Sequence, residues 1–402
     1  MTPLAVTDYT LATALGAGRA PTLAALRGAR SGLAKRGFET AELDTWLGVV
    51  EGVDDERLPA GLRDFDSRNN RLAWLGLNAD GFSASVARAA ARWGAHRVGV
   101  FVGTSTSGIL ETEQAYRRRD PSTGALPAGM HYAETHNTGA LGRFVRRALG
   151  LGGPAHVVST ACSSSAKVFG SAARLIGLGV IDAAVVGGVD SLCLTTLYGF
   201  NALELLSPDA CRPWDARRRG LSLGEGAAFA LLERSGGAAG AAPGIEALAW
   251  LRGVGESSDG HHMSTPHPEG AGAAEAMRAA LDQAGMQPDE VGYLNLHGTA
   301  TPNNDAVEDL AVRAVFGTAL PCSSTKGHTG HTLGAAGGVE AAISLLALQH
   351  GLLPQGLHRD CPDPALHCAY VDRNRDAALA VVASNSFGFG GSNACLVFGA
   401  AA

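Results

Sequence analysis

Cys162 is the residue whose type and setting best suit nucleophilic chemistry in this chain. It lies in the segment STACSSS, between an apolar strand predicted at 156–160 and a helix predicted over 163–178. A thiol at a helix N-terminus meets free backbone N–H groups and the positive end of the helix dipole, so we expect a lowered pKa and a reactive thiolate. The alternative is a buried cysteine that packs as a small hydrophobic residue.

Two histidines in the second half of the chain could act with this sulfur. His297 ends an apolar strand in NLHGTAT, and His331 lies in KGHTGHTLGAAGG, just before a Gly/Ala-rich helix predicted over 334–349. If the two halves are related by an approximate twofold axis, both segments converge on Cys162. We therefore expect one thiol and two imidazoles to share a pocket, whereas His328 is expected to be structural.

Zinc binding is a competing use of Cys162, His297 and His331. We disfavour it, because zinc would hold the thiolate electron pair that a nucleophile needs, and we expect no metal. The adjacent pair His261–His262, with His267, does not have the spacing of a metal site.

Short apolar strands alternate with amphipathic helices along the chain, which is typical of an α/β fold with largely buried sheets. Strands are predicted at 97–102, 156–160, 183–188, 227–232, 291–296, 380–384 and 394–398. A further helix is predicted over 272–285, because its apolar residues recur on one face.

The chain also contains an approximate internal repeat. In the first half a strand ends in VGTSTSG, then HVVSTACSSS leads into a helix and GEGAAFALLE closes the half. In the second half HGTATPN, ALPCSSTKG and GFGGSNACLVFG follow in the same order. The repeat predicts two similar α/β halves, 1–243 with the cysteine and 244–402 with the histidines, divided near the Ala/Gly-rich stretch 235–243.

Composition excludes several functional classes. The net charge of −6 shows no basic excess of the kind that nucleic-acid binding requires. No apolar run reaches the roughly 20 residues that span a bilayer, and the segment MTPLAVTDYT lacks the features of a signal peptide. Seven cysteines without a CxxC pair argue against a disulfide framework and structural zinc. We expect a cytoplasmic enzyme without a nucleic-acid or membrane partner.

Six segments, in order, resemble the β-ketoacyl-acyl carrier protein synthases of the thiolase superfamily. They are STACSSS around Cys162, CRPWDARRRGLSLGEGA (211–227), SSDGHHMSTPHPEG (257–270), NLHGTATPNNDAVED (295–309), SSTKGHTGHTLGAAGGVEA (323–341) and NSFGFGGSNA (385–394). The Cys–His–His set is similar to that of the elongating type II synthases. The resemblance implies a thiolase-like α/β fold, with two pseudo-repeated halves forming a layered αβαβα core.

The resemblance also implies catalytic roles. Cys162 accepts the primer acyl chain as a thioester, and a malonyl thioester on the carrier then loses CO₂. His297 and His331 donate hydrogen bonds that stabilise the resulting enolate, which attacks the acyl group in a Claisen condensation. The backbone N–H groups of Cys162 and Phe389 form the oxyanion hole, and Phe389 gates the site on a Gly-rich loop.

Further residues are assigned by the same resemblance. Thr299 and Thr301 contact the pantetheine arm, with Phe387 and Gly390 also in the substrate site. Lys326 and Glu308 form a buried ion pair beside the histidines, to which Glu340 is a possible addition. No cofactor is implied apart from the phosphopantetheine of the acyl carrier protein, on which the substrates travel.

The resemblance also implies protein partners. The implied acyl carrier protein is acidic, so docking needs a local basic patch, for which the candidates are Arg68, Arg71, Arg117, Arg118, Arg119 and Arg212. The family forms dimers, and a homodimer and a heterodimer with a homologous subunit both stay open.

The resemblance implies a synthase of fatty-acid, type II polyketide or aryl-polyene synthesis. One alternative is a non-catalytic chain-length partner, which the complete Cys–His–His set disfavours. Another is a thiolase acting on coenzyme A esters, which His331 disfavours.

Two regions depart from the family. The start, MTPLAVTDYTLATALG, matches the usual first strand only loosely. Segment 110–140 diverges, and we expect it to line the acyl tunnel and the dimer interface. These departures favour a specialised pathway over housekeeping fatty-acid synthesis.

Overall fold

The computed structural model describes residues 1–236 and 245–401. A mixed sheet of twelve strands runs through it, with a two-stranded and a three-stranded sheet beside it. The strands are β1 (Leu4–Thr13), β2 (Gly16–Ala17), β3 (Ala34–Lys35), β4 (Trp46–Gly48), β5 (Val98–Gly103), β6 (Ala155–Val158), β7 (Ala183–Asp190), β8 (Leu223–Gly224), β9 (Gly226–Glu233), β10 (Ala249–Ser258), β11 (Tyr293–Asn295), β12 (Pro321–Ser323), β13 (Leu352–Leu353), β14 (Ala369–Tyr370), β15 (Arg375–Asp376), β16 (Val381–Gly388) and β17 (Ser392–Ala400).

The large sheet contains the same strand order twice. Its first part runs β6-β5-β7-β9-β1 and its second part runs β12-β11-β16-β17-β10. In each part the first three strands are parallel and the last two pair antiparallel, and β1 joins β10 antiparallel at the centre. This repeat supports the predicted division into halves, which stays a prediction because its boundary at residues 243 and 244 lies outside the described residues.

Helices cover the sheet in layers. They are α1 (Arg19–Arg27), α2 (Arg68–Asn78), α3 (Phe82–Trp93), α4 (Ile109–Arg117), α5 (Gly139–Ala148), α6 (Ser164–Gly177), α7 (Leu194–Ala202), α8 (Ala271–Ala284), α9 (Pro302–Phe316), α10 (Lys326–Thr329) and α11 (Ala336–His350). The helices α6 and α11 touch each other and strands of both halves, so they form the central layer. α2, α3 and α5 cover the first half from outside, and α8 and α9 cover the second. The arrangement is the predicted αβαβα core.

Alternation along the buried strands explains why both faces are covered. In β7, Val185 packs into the apolar cluster beneath the outer helices, whereas Val186 packs into the central cluster around α6 and α11. Successive strand side chains point to opposite faces, so a strand that is apolar throughout requires a helix layer on each side.

Small residues allow the two central helices to approach closely. A Cβ added to Gly337 of α11 would lie 2.7 Å from the Cβ of Ala166 of α6. The predicted Gly/Ala-rich helix is therefore present, and its composition reflects a contact that larger side chains would block.

Most predicted elements lie within a few residues of the observed ones, including the helices now defined as α6 and α8. The loosely matched start of the chain is β1, a central strand of ten residues with Val6 and Tyr9 fully buried. The strands β10, β12 and β14 were not predicted from periodicity. No helix among the described residues is both long enough and apolar enough to cross a membrane.

Candidate active site

A tight turn between β6 and α6 presents the sulfur of Cys162. Ala161 has a positive φ of 52°, which an L-residue adopts only when the surrounding structure enforces it. The hydroxyl of Ser164 accepts a hydrogen bond from the Thr160 N–H at 2.9 Å and donates to the Ala161 carbonyl at 2.6 Å. These contacts hold the turn at the start of α6, as the sequence predicted, and leave Cys162 7% exposed.

His331 is held against the first half of the chain by its backbone. Its N–H donates to the Ser222 carbonyl at 2.8 Å, and its own carbonyl accepts from the Gly224 N–H at 3.0 Å. This short bridge aims the imidazole at the sulfur, with Nε2 lying 3.0 Å from the Cys162 Sγ. A residue of the second half thus completes a site that begins in the first.

His297 follows β11 and faces the same pocket. The Glu308 carboxylate accepts the N–H groups of His297 and Gly298 at 2.8 and 2.7 Å and so fixes the loop behind the ring. The imidazoles of His297 and His331 meet edge to face with centroids 5.4 Å apart. One potential ligand atom from each of Cys162, His297 and His331 lies within 4.8 Å of the others.

Lys326 forms its ion pair with Glu340 and not with Glu308, so the predicted pairing was wrong. Its ammonium also donates to the His297 carbonyl and lies 3.4 Å from His297 Nδ1. Glu308 instead projects from α9 and accepts the backbone N–H groups of His297 and Gly298. The sequence alone does not show which of the two buried carboxylates lies within reach of the Lys326 ammonium.

Burial dominates the electrostatics of the three reacting groups. It raises the pKa of Cys162 to about 11, against the opposing effects of Lys326 and the Phe389 N–H. It also lowers the pKa values of His297 and His331 well below 6.5, and the nearby Lys326 lowers both further. The resting site therefore holds a neutral thiol beside neutral imidazoles, and the expected lowered cysteine pKa was wrong.

The pocket above these groups is lined by both polar and apolar side chains. Thr299 and Thr301, whose hydroxyls lie 2.9 Å apart, are among the polar ones. Phe200, Leu205 and Leu221 are among the apolar ones. A pocket with this mixed lining can hold both a polar arm and an acyl chain.

The Gly-rich loop after β16 closes one end of the pocket. Phe389 lines it and packs against Phe200 with centroids 5.9 Å apart, while Phe387 lies 5.8 Å from the His297 ring. Gly390, at a φ of 80°, carries the turn but does not line the pocket. Lys326 and Glu308 likewise lie behind its wall, so their contact with substrate is not supported by this arrangement.

The other histidines lie away from the reacting groups. His328 is buried with both ring nitrogens 2.9 and 3.0 Å from the carbonyls of Arg30 and Gln355, which agrees with the expected structural role. Within residues 1–236 and 245–401, no group of three or more potential ligands includes His261, His262 or His267.

The predicted carrier-contact arginines differ in accessibility. Arg68 was a wrong choice, because it is 5% exposed and forms a buried ion pair with Glu225 and a second pair with the exposed Asp54. Arg71 pairs with Asp66, and Arg212 lies near two aspartates. Arg117, Arg118 and Arg119 are exposed, and no ion pair with an acidic group is found for them in the described part of the chain.

The divergent segment 110–140 does not line the pocket that contains Cys162. Its residue Leu110 packs in an apolar cluster with Leu197 and Leu333. The proposed role of this segment in an acyl tunnel and a dimer interface therefore stays a prediction.

Sequence reasoning missed several residues of the site. The apolar lining residues Phe200, Leu205 and Leu221 were missed because an apolar residue alone carries no chemical information. Asp190 was also missed, although it ends the strand AAVVGGVD as an isolated carboxylate after a run of apolar residues. A buried charge at a strand end is a recognisable indication of a hydrogen-bond hub.

Two family models cover most of the chain. "Beta-ketoacyl synthase, N-terminal domain" matches residues 71–238, and "Beta-ketoacyl synthase, C-terminal domain" matches residues 248–360. The mitochondrial 3-oxoacyl-[acyl-carrier-protein] synthase of Arabidopsis thaliana is 41% identical over 62% of this chain and 57% of its own length. The 3-oxoacyl-[acyl-carrier-protein] synthase 2 of Staphylococcus aureus is 36% identical over 76% of this chain and 77% of its own.

Solved structures agree with these relatives. A ketosynthase in complex with its chain length factor from Xenorhabdus doucetiae has a TM-score of 0.90 and 37% identity, over 100% of this chain and 98% of that one. A β-ketoacyl synthase from Burkholderia phymatum has a TM-score of 0.86 and 29% identity over the full length of both chains. The predicted thiolase-like fold and enzyme class are confirmed. This chain belongs to the β-ketoacyl synthase family of acyl-transferring condensing enzymes.

Proposed function

We propose that the protein is a β-ketoacyl-acyl carrier protein synthase in which Cys162, His297 and His331 carry the decarboxylative condensation. The observation that carries the assignment of roles is the distance of 3.0 Å between the Cys162 Sγ and the His331 Nε2, with the His297 ring across the same pocket. The family and the relatives support the reaction class.

The first half-reaction moves the acyl group from the carrier to Cys162. Because the pKa of the thiol is raised, the proton must leave as the sulfur attacks the thioester carbonyl, and the neutral His331 Nε2 is the acceptor within reach. The tetrahedral oxyanion forms beside the N–H groups of Cys162 and Phe389. The carrier thiolate then leaves and takes the proton back.

The second half-reaction needs hydrogen-bond donors and not acids. A malonyl thioester loses CO₂, and the electron pair moves onto the thioester oxygen as an enolate. The ammonium of Lys326, 3.4 Å from His297 Nδ1, favours the tautomer with the proton on Nε2. His297 can then donate from Nε2 to the enolate. His331 joins it only in the tautomer with its proton on Nε2, the opposite of the tautomer that accepts the thiol proton. The enolate carbon attacks acyl-Cys162, and the thiolate leaves as the β-ketoacyl product forms.

The carrier itself would dock at a basic surface. Arg117, Arg118 and Arg119 follow one another at the exposed end of α4, where charge can attract an acidic partner. We assign the phosphopantetheine arm to the wall formed by Thr299 and Thr301. No separate cofactor has a role in this scheme, since the carrier brings both substrates.

Assembly and pathway follow from the structural neighbours. Two ketosynthases of known structure, at 37% and 28% identity, occur with chain length factors. We propose that this chain works as a dimer in a specialised type II pathway, with a second copy or a homologous subunit. Seven free cysteines suit a reducing cytoplasm.

One experiment tests the assignment of roles. The protein is incubated with acyl-carrier protein and mass-labelled malonyl-carrier protein, and the products are read by intact-mass spectrometry. The proposal expects an acyl adduct on Cys162, then CO₂ release and a β-ketoacyl carrier. CO₂ release without any adduct on Cys162 would defeat the assignment.

A separate measurement tests the assembly. Native mass spectrometry distinguishes a homodimer, at twice the chain mass of 41.0 kDa, from a complex with a homologous subunit.

A further inference from the structure

A carboxylate that belongs to none of the family motifs links the two halves behind the reacting groups. Asp190 ends β7 and is fully buried. Its Oδ1 accepts hydrogen bonds from the Thr104 Oγ1 at 2.6 Å, the Ser105 N–H at 2.8 Å, the Thr106 N–H at 2.9 Å and the Thr106 Oγ1 at 2.8 Å. Its Oδ2 accepts from the Gly334 N–H at 2.6 Å. One carboxylate thus holds a loop of the first half and a turn of the second.

The turn at Gly334 continues directly from the catalytic histidine. Gly334 lies three residues after His331, in the 3₁₀ turn Leu333–Ala335, and Leu333 adopts a positive φ of 53°. A Cβ on Gly334 would lie 2.8 Å from the Asp190 Oδ2, so glycine is required for this approach. The carboxylate thus holds the turn that continues from His331, in addition to the backbone bridge of His331 to Ser222 and Gly224.

The loop on the other side lies beneath the nucleophile. The hydroxyl of Ser105 approaches the carbonyl of Ala161, the residue before Cys162, at 3.5 Å. Asp190 therefore contacts elements adjacent to both partners of the sulfur–imidazole pair.

We propose that Asp190 is a positioning residue, whose carboxylate sets the distance between the His331 Nε2 and the Cys162 Sγ by holding Thr104–Thr106 and the turn at Gly334 together. Only an ionised carboxylate can accept from all of these donors, since an amide in its place turns an NH₂ group toward one set of N–H or O–H donors. The effect on turnover rests on the proposed function.

The charge of Asp190 affects the pKa of the Cys162 thiol, so this pKa distinguishes an electrostatic role of Asp190 from a purely structural one. The charged groups that act on the Cys162 thiol are Lys326, Glu340 and Asp190, and the pKa values of the two neighbouring imidazoles are lowered so far that they are neutral at pH 7. Asp190 and Glu340 raise the thiol pKa and Lys326 lowers it. Burial raises the pKa of Asp190 itself, and its hydrogen bonds from Thr104, Ser105 and Thr106 oppose that rise and favour the charged form. We therefore expect that removing the charge at position 190 moves the alkylation profile of Cys162 to lower pH.

Asp190→Asn is the test, with Asp182→Asn as its matched control. Asp182 directly precedes the same strand, is also buried, and pairs with Arg97 and Arg234. It lies about 25 Å from Asp190, from the rise of a strand per residue. Both variants are compared for thermal unfolding, condensation kcat and KM, and Cys162 alkylation by iodoacetamide against pH. Gly334→Ala perturbs the same contact without changing charge, and it serves if Asp190→Asn fails to fold.

The proposal expects Asp190→Asn to lower kcat by about 10- to 100-fold with KM within about twofold, since small displacements of catalytic groups have effects of this size. Its alkylation midpoint falls, and Gly334→Ala lowers kcat with the midpoint unchanged. Asp182→Asn loses only stability. Equal profiles in the two aspartate variants, or a kcat loss that only follows the folded fraction, would overturn the role. If the wild-type protein shows no condensation activity, the proposed function fails. The role of Asp190 can then still be tested, because the alkylation profiles do not depend on that activity.

Discussion

The two halves of the sheet share one strand order but use equivalent loops differently. In the first half, the loop after β5 binds the Asp190 carboxylate, and the turn after β6 presents Cys162. In the second half, the loop after β11 presents His297, and the segment after β12 presents His331. Three of these loops line one pocket, and the loop after β5 lies behind it. The side chains in them divide the chemistry. One half supplies the nucleophile and the other supplies the hydrogen-bond donors.

The difference shows how a duplicated fold can support a reaction with two stages. The sulfur must react with one thioester, while the imidazoles must stabilise an enolate from another. Because the groups come from separate halves, the sulfur can be removed while the imidazoles that serve decarboxylation stay in place. The following predictions test this division.

The largest effect is expected for Cys162→Ala. Condensation should fall by more than about 10³-fold, because no thioester can form on the enzyme. Decarboxylation of malonyl-carrier protein should remain measurable, because both imidazoles stay in place. Product and CO₂ are quantified in the same assay, with the exposed Cys361→Ala as control. Loss of both activities in folded Cys162→Ala protein would contradict the division between halves.

His331→Ala should affect both stages. Decarboxylation should fall by about 10²- to 10³-fold, the effect of removing one donor from a developing oxyanion. Acylation should slow as well, because the acceptor 3.0 Å from the sulfur is lost. His328→Asn is the matched buried control, and it should lose stability while keeping its rate per folded molecule. Unchanged CO₂ release in His331→Ala would exclude this residue from the site.

The protonation state of Cys162 can be read without turnover. With its pKa raised to about 11 by burial, the free enzyme carries a thiol at neutral pH, and the thiolate fraction rises with pH. The rate of alkylation by iodoacetamide should therefore increase about tenfold per pH unit between pH 7 and pH 9. Mass spectrometry assigns the label to Cys162. A rate that is already level at pH 7 would show a resting thiolate, as the sequence-based argument from the helix N-terminus expected.

Carrier docking should depend on the basic end of α4 in the first half. Changing Arg117, Arg118 and Arg119 together to glutamate should raise KM for the acyl-carrier substrate by about tenfold, most strongly at low salt, because steering is electrostatic. Activity toward a small pantetheine thioester should not change. Arg27→Glu, another exposed arginine, is the control. An equal rise in KM for both substrates would place the effect in the pocket and not at a docking surface.

The smallest effect is expected for chelation. Cys162, His297 and His331 have ligand atoms close enough for a metal ion, so geometry alone does not separate the two uses of these residues. The condensation mechanism uses the free sulfur, so treatment with EDTA should change kcat by less than about twofold. Loss of activity on chelation, restored by Zn²⁺, would favour the metal site.

Much of the fold and the core of the site could be read from sequence patterns. The parallel strands β5 and β7 and the helices α6 and α8 were predicted close to their observed bounds. Cys162 and His297 were chosen at the ends of predicted strands and His331 ahead of a Gly/Ala-rich helix, and the repeated order of these segments predicted that they converge. The strand β10 was not predicted, although it pairs with β1 and β17 at the centre of the sheet.

Chain order and residue chemistry thus determine which groups this protein can use, because periodicity and strand ends are local properties of the backbone. Pairing and protonation are not local. Lys326 pairs with Glu340 and not Glu308, Arg68 is buried, and the pKa of Cys162 is raised and not lowered. Each of these depends on which distant atoms surround the group and how much water they displace, and those quantities exist only once the two halves have packed together.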